Sequence, residues 1–251
     1  MTIRAWLGWG LFALAIFLST LLLTLPAHLA ARWAGLPLTG AQGTLWHGSA
    51  GLEIGAQRIE HIEWRIHLLW PWQGPFGAEL ELRQQGWQGR GEAMLAWNGA
   101  LHVRDARLEG PLDSPVSSRM LPVPVRGQAH INLREAVWRN GLIRAEGAVL
   151  TLSAPSIRLD DWIALGDQRA ELEVRQGVLD GRLADLGGPL EVHGTLNGRL
   201  ASGLSLDARL NARPHASPTL AETLRLLPPH PQGGAGAKAR FAAPWLADVP
   251  S

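Results

Sequence analysis

Cysteine and tyrosine are both absent from the 251 residues of this chain. Without a thiol, the protein can form no disulfide, no thiolate metal site and no cysteine nucleophile. Positive charge comes almost wholly from arginine, since Lys238 is the single lysine, and the formal net charge is only +1. So small a net charge does not indicate a nucleic-acid partner. Sheet hydrogen bonds and apolar packing must therefore hold the body of the protein together.

Long helical periodicity is also scarce beyond Pro37, where apolar and polar residues alternate instead. This period of two is typical of half-buried antiparallel strands and differs from the pattern of a doubly wound α/β fold. We therefore expect a mainly β domain, built on a long curled antiparallel β-sheet. The alternating apolar residues include Leu80, Leu82, Leu95, Trp97, Leu101, Val103, Ile131, Leu133, Leu172, Val174, Leu190, Val192, Leu196, Leu204, Leu206 and Leu210.

Three Asn-Gly pairs lie between or beside the alternating segments: Asn98–Gly99, Asn140–Gly141 and Asn197–Gly198. Both residue types accept a positive φ, which the two central positions of a type I′ turn require. We expect each pair to join two antiparallel strands that are neighbours in the sheet.

Helix signals are few. Ser217–Pro218 places a capping hydroxyl before a proline, leucines then recur at helical spacing, and Pro228–Pro229 stops the run. A second, shorter helix is predicted between Ser114–Pro115 and Leu121–Pro122. We expect these one or two short helices to cover the apolar face or one end of the sheet.

The N-terminal stretch from Ala5 to Ala27 contains no charged side chain. About 20 apolar residues are needed to cross a bilayer as a helix, so we expect a transmembrane helix over residues 6–26. A leader of residues 1–5 would precede it on the cytoplasmic side, because Arg4 favours that orientation. A linker over residues 27–36 and a β-rich domain over residues 37–251 would follow. A cleaved signal peptide and a buried soluble helix are the alternatives.

Short motifs that suggest catalysis are incomplete. His47–Gly51 lacks the first glycine of a nucleophile elbow and its strand–turn–helix context, so a tight turn or bulge is expected there. Gly233–Lys238 lacks the spacing and the hydroxyl residue of a phosphate-binding loop.

Titratable residues give no stronger signal. His61 and His67 can share a sheet face but lack a third metal ligand. Asp160–Asp161 is predicted to begin a helical turn, with a paired-carboxylate site as the alternative. We expect no enzyme and assign no catalytic, cofactor-binding or metal residue.

Longer motifs resemble those of the type II secretion system protein N family (general secretion pathway protein N). Gly43–Ala50 is similar to the family's G-T-[LV]-W-x-G-x-A start, and Ile62–Ile66 to its V-x-W-x-[LI] strand. Leu121–Gly127 and Gly147–Val149 are similar to its middle region, although Leu150–Leu152 lacks the expected aromatic residue. Gly43 and Gly48 would permit a bulge, or close contact with a bulky neighbour such as Trp46.

The resemblance implies a single-pass inner-membrane protein of Gram-negative bacteria with its body in the periplasm. Such a protein is an accessory component of the machine that exports folded proteins across the outer membrane. Its partners would be the inner membrane and other secretion-system components, without a cofactor. The strand pattern is also similar to that of AsmA-like proteins, which gives a periplasmic lipid-binding or lipid-transfer protein as the alternative, with phospholipid as a partner.

Overall fold

A computed structural model describes residues 16–17, 19–21, 23–33, 38–54, 57–68, 76–113, 124–139, 142–158, 161–200 and 202–241. The leader 1–5, most of the predicted span 6–26, the pair Asn140–Gly141 and the whole of the predicted helix near Ser114 lie outside these residues. Residues 16–17, 19–21 and 23 are helical. Among the described residues, no helix has both the length and the apolar character needed to span a bilayer.

The described elements are mostly strands, with two short helices. The helices are α1 (Ala27–Trp33) and α2 (Pro218–Arg225). The strands are β1 (Leu38–Gly43), β2 (His47–Ile54), β3 (Gln57–Leu68), β4 (Phe76–Gln84), β5 (Trp87–Leu95), β6 (Leu101–Pro111), β7 (Val125–Arg139), β8 (Leu142–Arg158), β9 (Trp162–Ala164), β10 (Gln168–Arg175), β11 (Val178–Asp185), β12 (Leu190–Arg199), β13 (Gly203–Ala212) and β14 (Ala235–Phe241).

These strands form a single antiparallel sheet in chain order. Each strand pairs with its neighbour in the sequence, except that the short β9 pairs only with β8, and β10 pairs with β8 on the main path. The prediction of a mainly β fold built on one long antiparallel sheet is confirmed. Because the connections alternate from end to end, the β1–β2, β3–β4, β5–β6 and β7–β8 turns all lie at one end of the sheet.

Two of the predicted Asn-Gly turns can be compared with the structure. Asn98–Gly99 does connect β5 to β6, but in a longer turn closed by a bond from the Ala96 N–H to the Ala100 carbonyl, 2.8 Å long. Only Gly99 has a positive φ there, 77°, so the turn is not a two-residue type I′ turn.

The predicted turn at Asn197–Gly198 is wrong, because both residues belong to β12. A Cβ on Gly198 would lie 2.4 Å from the carbonyl oxygen of Gly203. The glycine therefore allows β12 and β13 to approach closely, and the two strands stay paired as far as Arg199 and Gly203. Glycine is favoured both in turns and where two strands approach closely, so the sequence alone does not distinguish the two.

The C-terminal helix is as predicted. Ser217 accepts a hydrogen bond from the Leu220 N–H at 3.2 Å, and Pro218 begins the helix. The helical turn predicted after Asp160–Asp161 is wrong. Asp161 accepts a hydrogen bond from the Trp162 N–H, but β9 follows it, and Ile163 is buried against β12.

Helix α1 lies within the predicted linker 27–36, and it follows the point where the chain joins the sheet. The Leu45 N–H donates to the Leu25 carbonyl at 2.8 Å, and Pro26 bridges to Thr44. Ala27 is buried at this junction. The helical residues before Leu25 are thereby attached to the β1–β2 end of the sheet.

Candidate functional site

The sheet has one apolar and one charged face, and strand register explains both. Side chains alternate across a strand, so residues that are directly paired share a face. One continuous row on the apolar face comprises Leu133, Ala148, Leu172, Gly181, Leu196 and Leu206, from β7 to β13. One row on the other face comprises Glu81, Arg90, Arg107 and Asn132, from β4 to β7.

The apolar face is covered unevenly. At the C-terminal end, Leu220 of α2 is 3% exposed and packs into a cluster with Ile163, Leu190 and Val192. Toward the N-terminal end, Phe76 and other large side chains of the same sheet stay well exposed. Among the described residues, no large side chain is less than 2% exposed. A second buried cluster, around Ala145, Val174 and Leu179, lies on the same face, so the apolar face is buried mainly over the C-terminal strands.

The charged face consists largely of ion pairs between neighbouring side chains. Arg65 approaches Glu79 at 3.2 Å, and Arg104 approaches Glu135 at 3.2 Å. A hydrogen bond with the His61 ring holds the pKa of Glu63 below its usual value, despite an opposing effect of desolvation. Exposed pairs of this kind keep the face nearly neutral and add little to stability.

Two shallow cavities lie on this charged face. The first, of about 440 Å³, contains Arg90 and Arg107, which are directly paired across β5 and β6. Like charges in this position repel, and Glu81 beside Arg90 offsets the repulsion. The second, of about 640 Å³, contains both Arg182 and Glu171, which are paired across β10 and β11. Neither arrangement places a nucleophile beside a base.

The titratable residues considered from the sequence do not converge. His61 pairs with Glu63 at 2.8 Å, and no group of three or more His, Cys, Asp or Glu that could hold a metal is found among the described residues. Ser49 lies inside β2 opposite Glu63, and the expected bulge follows it, where the register of β2 against β3 shifts between Ala50 and Leu52. Lys238 lies in β14 and pairs with Asp207 at 3.5 Å. These residues do not form the elements of an active site.

The Gly43–Ala50 motif has a structural role at the β1–β2 end. Gly43 has a φ of 82°, and Thr44 closes the tight turn by exchanging hydrogen bonds with His47. A Cβ on Gly48 would lie 2.6 Å from the ring of Trp64, which donates from its Nε1 to the Leu45 carbonyl at 3.0 Å. The prediction of a close bulky neighbour is right, but that neighbour is Trp64 rather than Trp46.

Sequence reasoning missed one polar cluster, which is buried at the opposite end. Asp185 is 4% exposed at its side chain and pairs with Arg213 at 2.6 Å. It also accepts hydrogen bonds from the N–H groups of Val192 and Gly187. Desolvation raises the pKa of Asp185, but these hydrogen bonds and Arg213 outweigh it, so the pKa lies below its usual value. The cluster holds the β11–β12 loop against the end of β13.

Comparisons with known proteins agree with the motifs in β1–β3. A family model for the type II secretion system protein N matches residues 34–237. A protein of Aeromonas hydrophila named "Type II secretion system protein N" is 29% identical over 188 residues, which cover 65% of this chain and 73% of that protein. A protein of Vibrio cholerae serotype O1 with the same name is 26% identical over 141 residues, covering 53% of this chain and 56% of the relative.

No solved structure matches the chain. The family match begins just before β1 and ends within β14, so it spans nearly the whole sheet and about four fifths of the sequence. On this match, the chain belongs to the type II secretion system protein N family.

Proposed function

We propose that the chain is an accessory component of the type II secretion system, anchored in the inner membrane and supporting export of folded periplasmic proteins across the outer membrane. Residues 1–5 would be cytoplasmic, 6–26 would cross the membrane, 27–36 would link, and 37–251 would form the periplasmic domain. The observation that carries this proposal is the family match across the sheet, and the names of both relatives support it.

The arrangement of side chains supports a scaffold rather than an enzyme. The charged face offers a long row of exposed, mutually compensated side chains, and the described residues offer no constellation of catalytic groups. A nearly neutral face of this kind recognises a partner by the positions of its charges and hydrogen-bonding groups, since bulk attraction is small.

Affinity purification of the full chain from membranes tests the assignment to the secretion system. We expect other secretion-system components to copurify with a tagged full-length protein. The matched control is residues 1–36 fused to an unrelated periplasmic domain, which should recover none of them. Equal recovery with both proteins, or no recovery with the full chain, would contradict the proposal.

Topology is tested separately. A reporter active only in the periplasm should be active when fused after Ser251, and a reporter active only in the cytoplasm should not. N-terminal sequencing of membrane-extracted protein should find Met1 or Thr2. A mature start near Ala31 would show cleavage and would overturn the anchor.

A lipid-binding function is the second candidate, because one observation favours it. The apolar face is partly open over its N-terminal strands, where Leu80 in the middle of β4 is 37% exposed. If this face holds acyl chains, a photoreactive group at position 80 should crosslink to phospholipid in membranes. The same group at Glu81, on the charged face, is the control. Equal crosslinking at both positions, or none at position 80, would contradict lipid binding.

A further inference from the structure

Exposed apolar side chains are concentrated at the end of the sheet where the N-terminal helix joins it. The described sheet domain has ten large apolar side chains classed as exposed, and six of them lie at the β3–β4, β5–β6 and β7–β8 turns. These are the first three turns along the sheet from the Leu25–Leu45 junction. They carry Leu68, Phe76, Leu95, Trp97, Trp138 and Leu142, which we call the apolar rim.

Charge is distributed unequally between the two ends. Arg139, Arg144 and Arg175 lie at or near the strand ends beside the rim, and the described turn residues at this end include no aspartate or glutamate. Arg144 and Arg175 do pair with Glu146 and Glu173, but each of these acids lies two residues further from the strand end than its arginine. Four aspartates, Asp113, Asp161, Asp167 and Asp185, lie in or beside the described connections of the opposite end.

The helical residues beside this end are also apolar and uncovered. Ile16, Phe17, Leu21 and Leu23 are all exposed, so the rest of the described chain does not cover them. The last of them, Leu23, lies three residues before Pro26, which bridges to Thr44 in the β1–β2 turn. One end of the strands therefore combines three features: the apolar helical residues, the apolar rim, and arginines with no acidic residue in the described turns between them.

We propose that the apolar rim lies on the bilayer surface and inserts into the headgroup region of anionic phospholipid. Tryptophan, phenylalanine and leucine favour the interface between headgroups and acyl chains, and arginines beside them attract anionic lipid. A sheet twists by about 20° per strand, which turns the more distant β10–β11 and β12–β13 ends away. At this end of the strands, the exposed large apolar side chains lie at the three turns nearest the helix and not at the described β10–β11 and β12–β13 ends, as this twist predicts. The inference rests on the proposed membrane anchor.

Single-cysteine labelling tests the rim, since the natural chain contains no cysteine. Leu142→Cys and Leu186→Cys form a matched pair, because the two leucines are 55% and 56% exposed at opposite ends of the sheet. The eight residues of β11 alone separate the two ends by about 26 Å. Each full-length variant would carry an environment-sensitive fluorophore and be reconstituted into vesicles of phosphatidylcholine and phosphatidylglycerol containing spin-labelled lipid.

We expect quenching at position 142 to exceed quenching at position 186 by about twofold or more, because an interfacial group lies within about 5–10 Å of the labelled lipid region. Leu95→Cys, on the neighbouring hairpin, should behave like Leu142→Cys. Replacing Arg139, Arg144 and Arg175 together with glutamine should reduce the quenching in anionic vesicles and leave it unchanged in pure phosphatidylcholine. Equal quenching at positions 142 and 186 would overturn the inference.

Two further outcomes separate the rim from its alternatives. If the fluorophore at position 142 becomes shielded only as protein concentration rises, without lipid quenching, a second copy covers the rim and the inference is overturned. An alkaline wash of the same vesicles reports on the anchor. Protein that stays with the vesicles but shows no quenching at position 142 contradicts the rim alone, whereas protein released by the wash contradicts the anchor, and the rim inference with it.

Discussion

Replacing Gly48 with alanine should destabilise the protein through the backbone of the β1–β2 turn. A Cβ at this position would lie 2.6 Å from the carbonyl oxygen of Gln42 and 3.0 Å from that of Thr44. It would also lie 2.6 Å from the Trp64 ring. Two of these three obstacles are backbone atoms, one of β1 and one of the turn, so a change of side-chain rotamer cannot remove them.

The expected magnitude is the balance of two effects. Overpacking a filled site costs about 1–3 kcal/mol, and backbone obstacles place Gly48→Ala near the upper end of that range. Alanine also restricts the unfolded chain, which offsets about 0.4–1 kcal/mol. The free energy of unfolding should therefore fall by roughly 2 kcal/mol. For a domain of this size, that lowers Tm by about 4–8 °C.

Gly89→Ala is the matched control, because Gly89 also lies in a strand on the apolar face. The nearest obstacle to its Cβ is the Cδ1 atom of Leu108 at 3.0 Å, which is the far end of a flexible side chain. Its unfolding free energy should change by no more than about 0.5 kcal/mol. Urea unfolding followed by far-UV circular dichroism measures both variants. Wild-type stability in Gly48→Ala, or equal losses in both, would refute the steric role of Gly48.

Three other predictions concern the ends of the sheet. Leu220→Ala should cost about 2–5 kcal/mol in urea unfolding, because Leu220 is buried, whereas Leu226→Ala should cost little, because Leu226 is 87% exposed. The depressed pKa of Asp185 should stabilise the fold above the ordinary carboxyl pKa of 3.8, and this contribution should be lost as pH falls through the lower folded pKa. Asp185→Asn should flatten that part of the stability profile in acid titration, and an unchanged profile would contradict the assignment. Trp64→Phe, which removes the hydrogen bond to Leu45, should cost about 1 kcal/mol in the same unfolding assay.

Alternation in the sequence predicted the strands well, because a one-residue shift would expose every apolar side chain of a strand. It predicted the turns less well. Gln85–Gly86 and Gln176–Gly177 both turn with positive φ, at 45° and 88° and at 52° and 75°. Glutamine has no strong preference for that conformation, so the pairing of the flanking strands imposes it. Local turn chemistry therefore misses hairpins whose register is set by the strands themselves.

The candidate site was predictable only in part, for a related reason. Ser217 and the leucines of α2 predicted a helix, and the alternation of apolar residues predicted a sheet face for that helix to cover. How far the helix reaches along that face depends on three-dimensional packing, and the helix reaches only the strands around Leu190 and Val192. The ion pair of Asp185 and Arg213 was also not predictable from the sequence, because the two residues are 28 positions apart and neither belongs to a recognisable motif.

The N-terminal and the C-terminal strands of the sheet are stabilised by different means. In a sheet whose strands follow one another in sequence order, each strand depends mainly on its immediate neighbours. A helix that covers the C-terminal strands therefore stabilises the N-terminal strands only weakly. Helix α2 and the Asp185 cluster stabilise the C-terminal strands. The described N-terminal strands have no such helix on their apolar face, and there the Gly43–Ala50 motif fixes the first turn through Gly48 and Trp64. The motif thus lies where the apolar helix joins the sheet, and the contacts of Gly48 and Trp64 give it a structural role there.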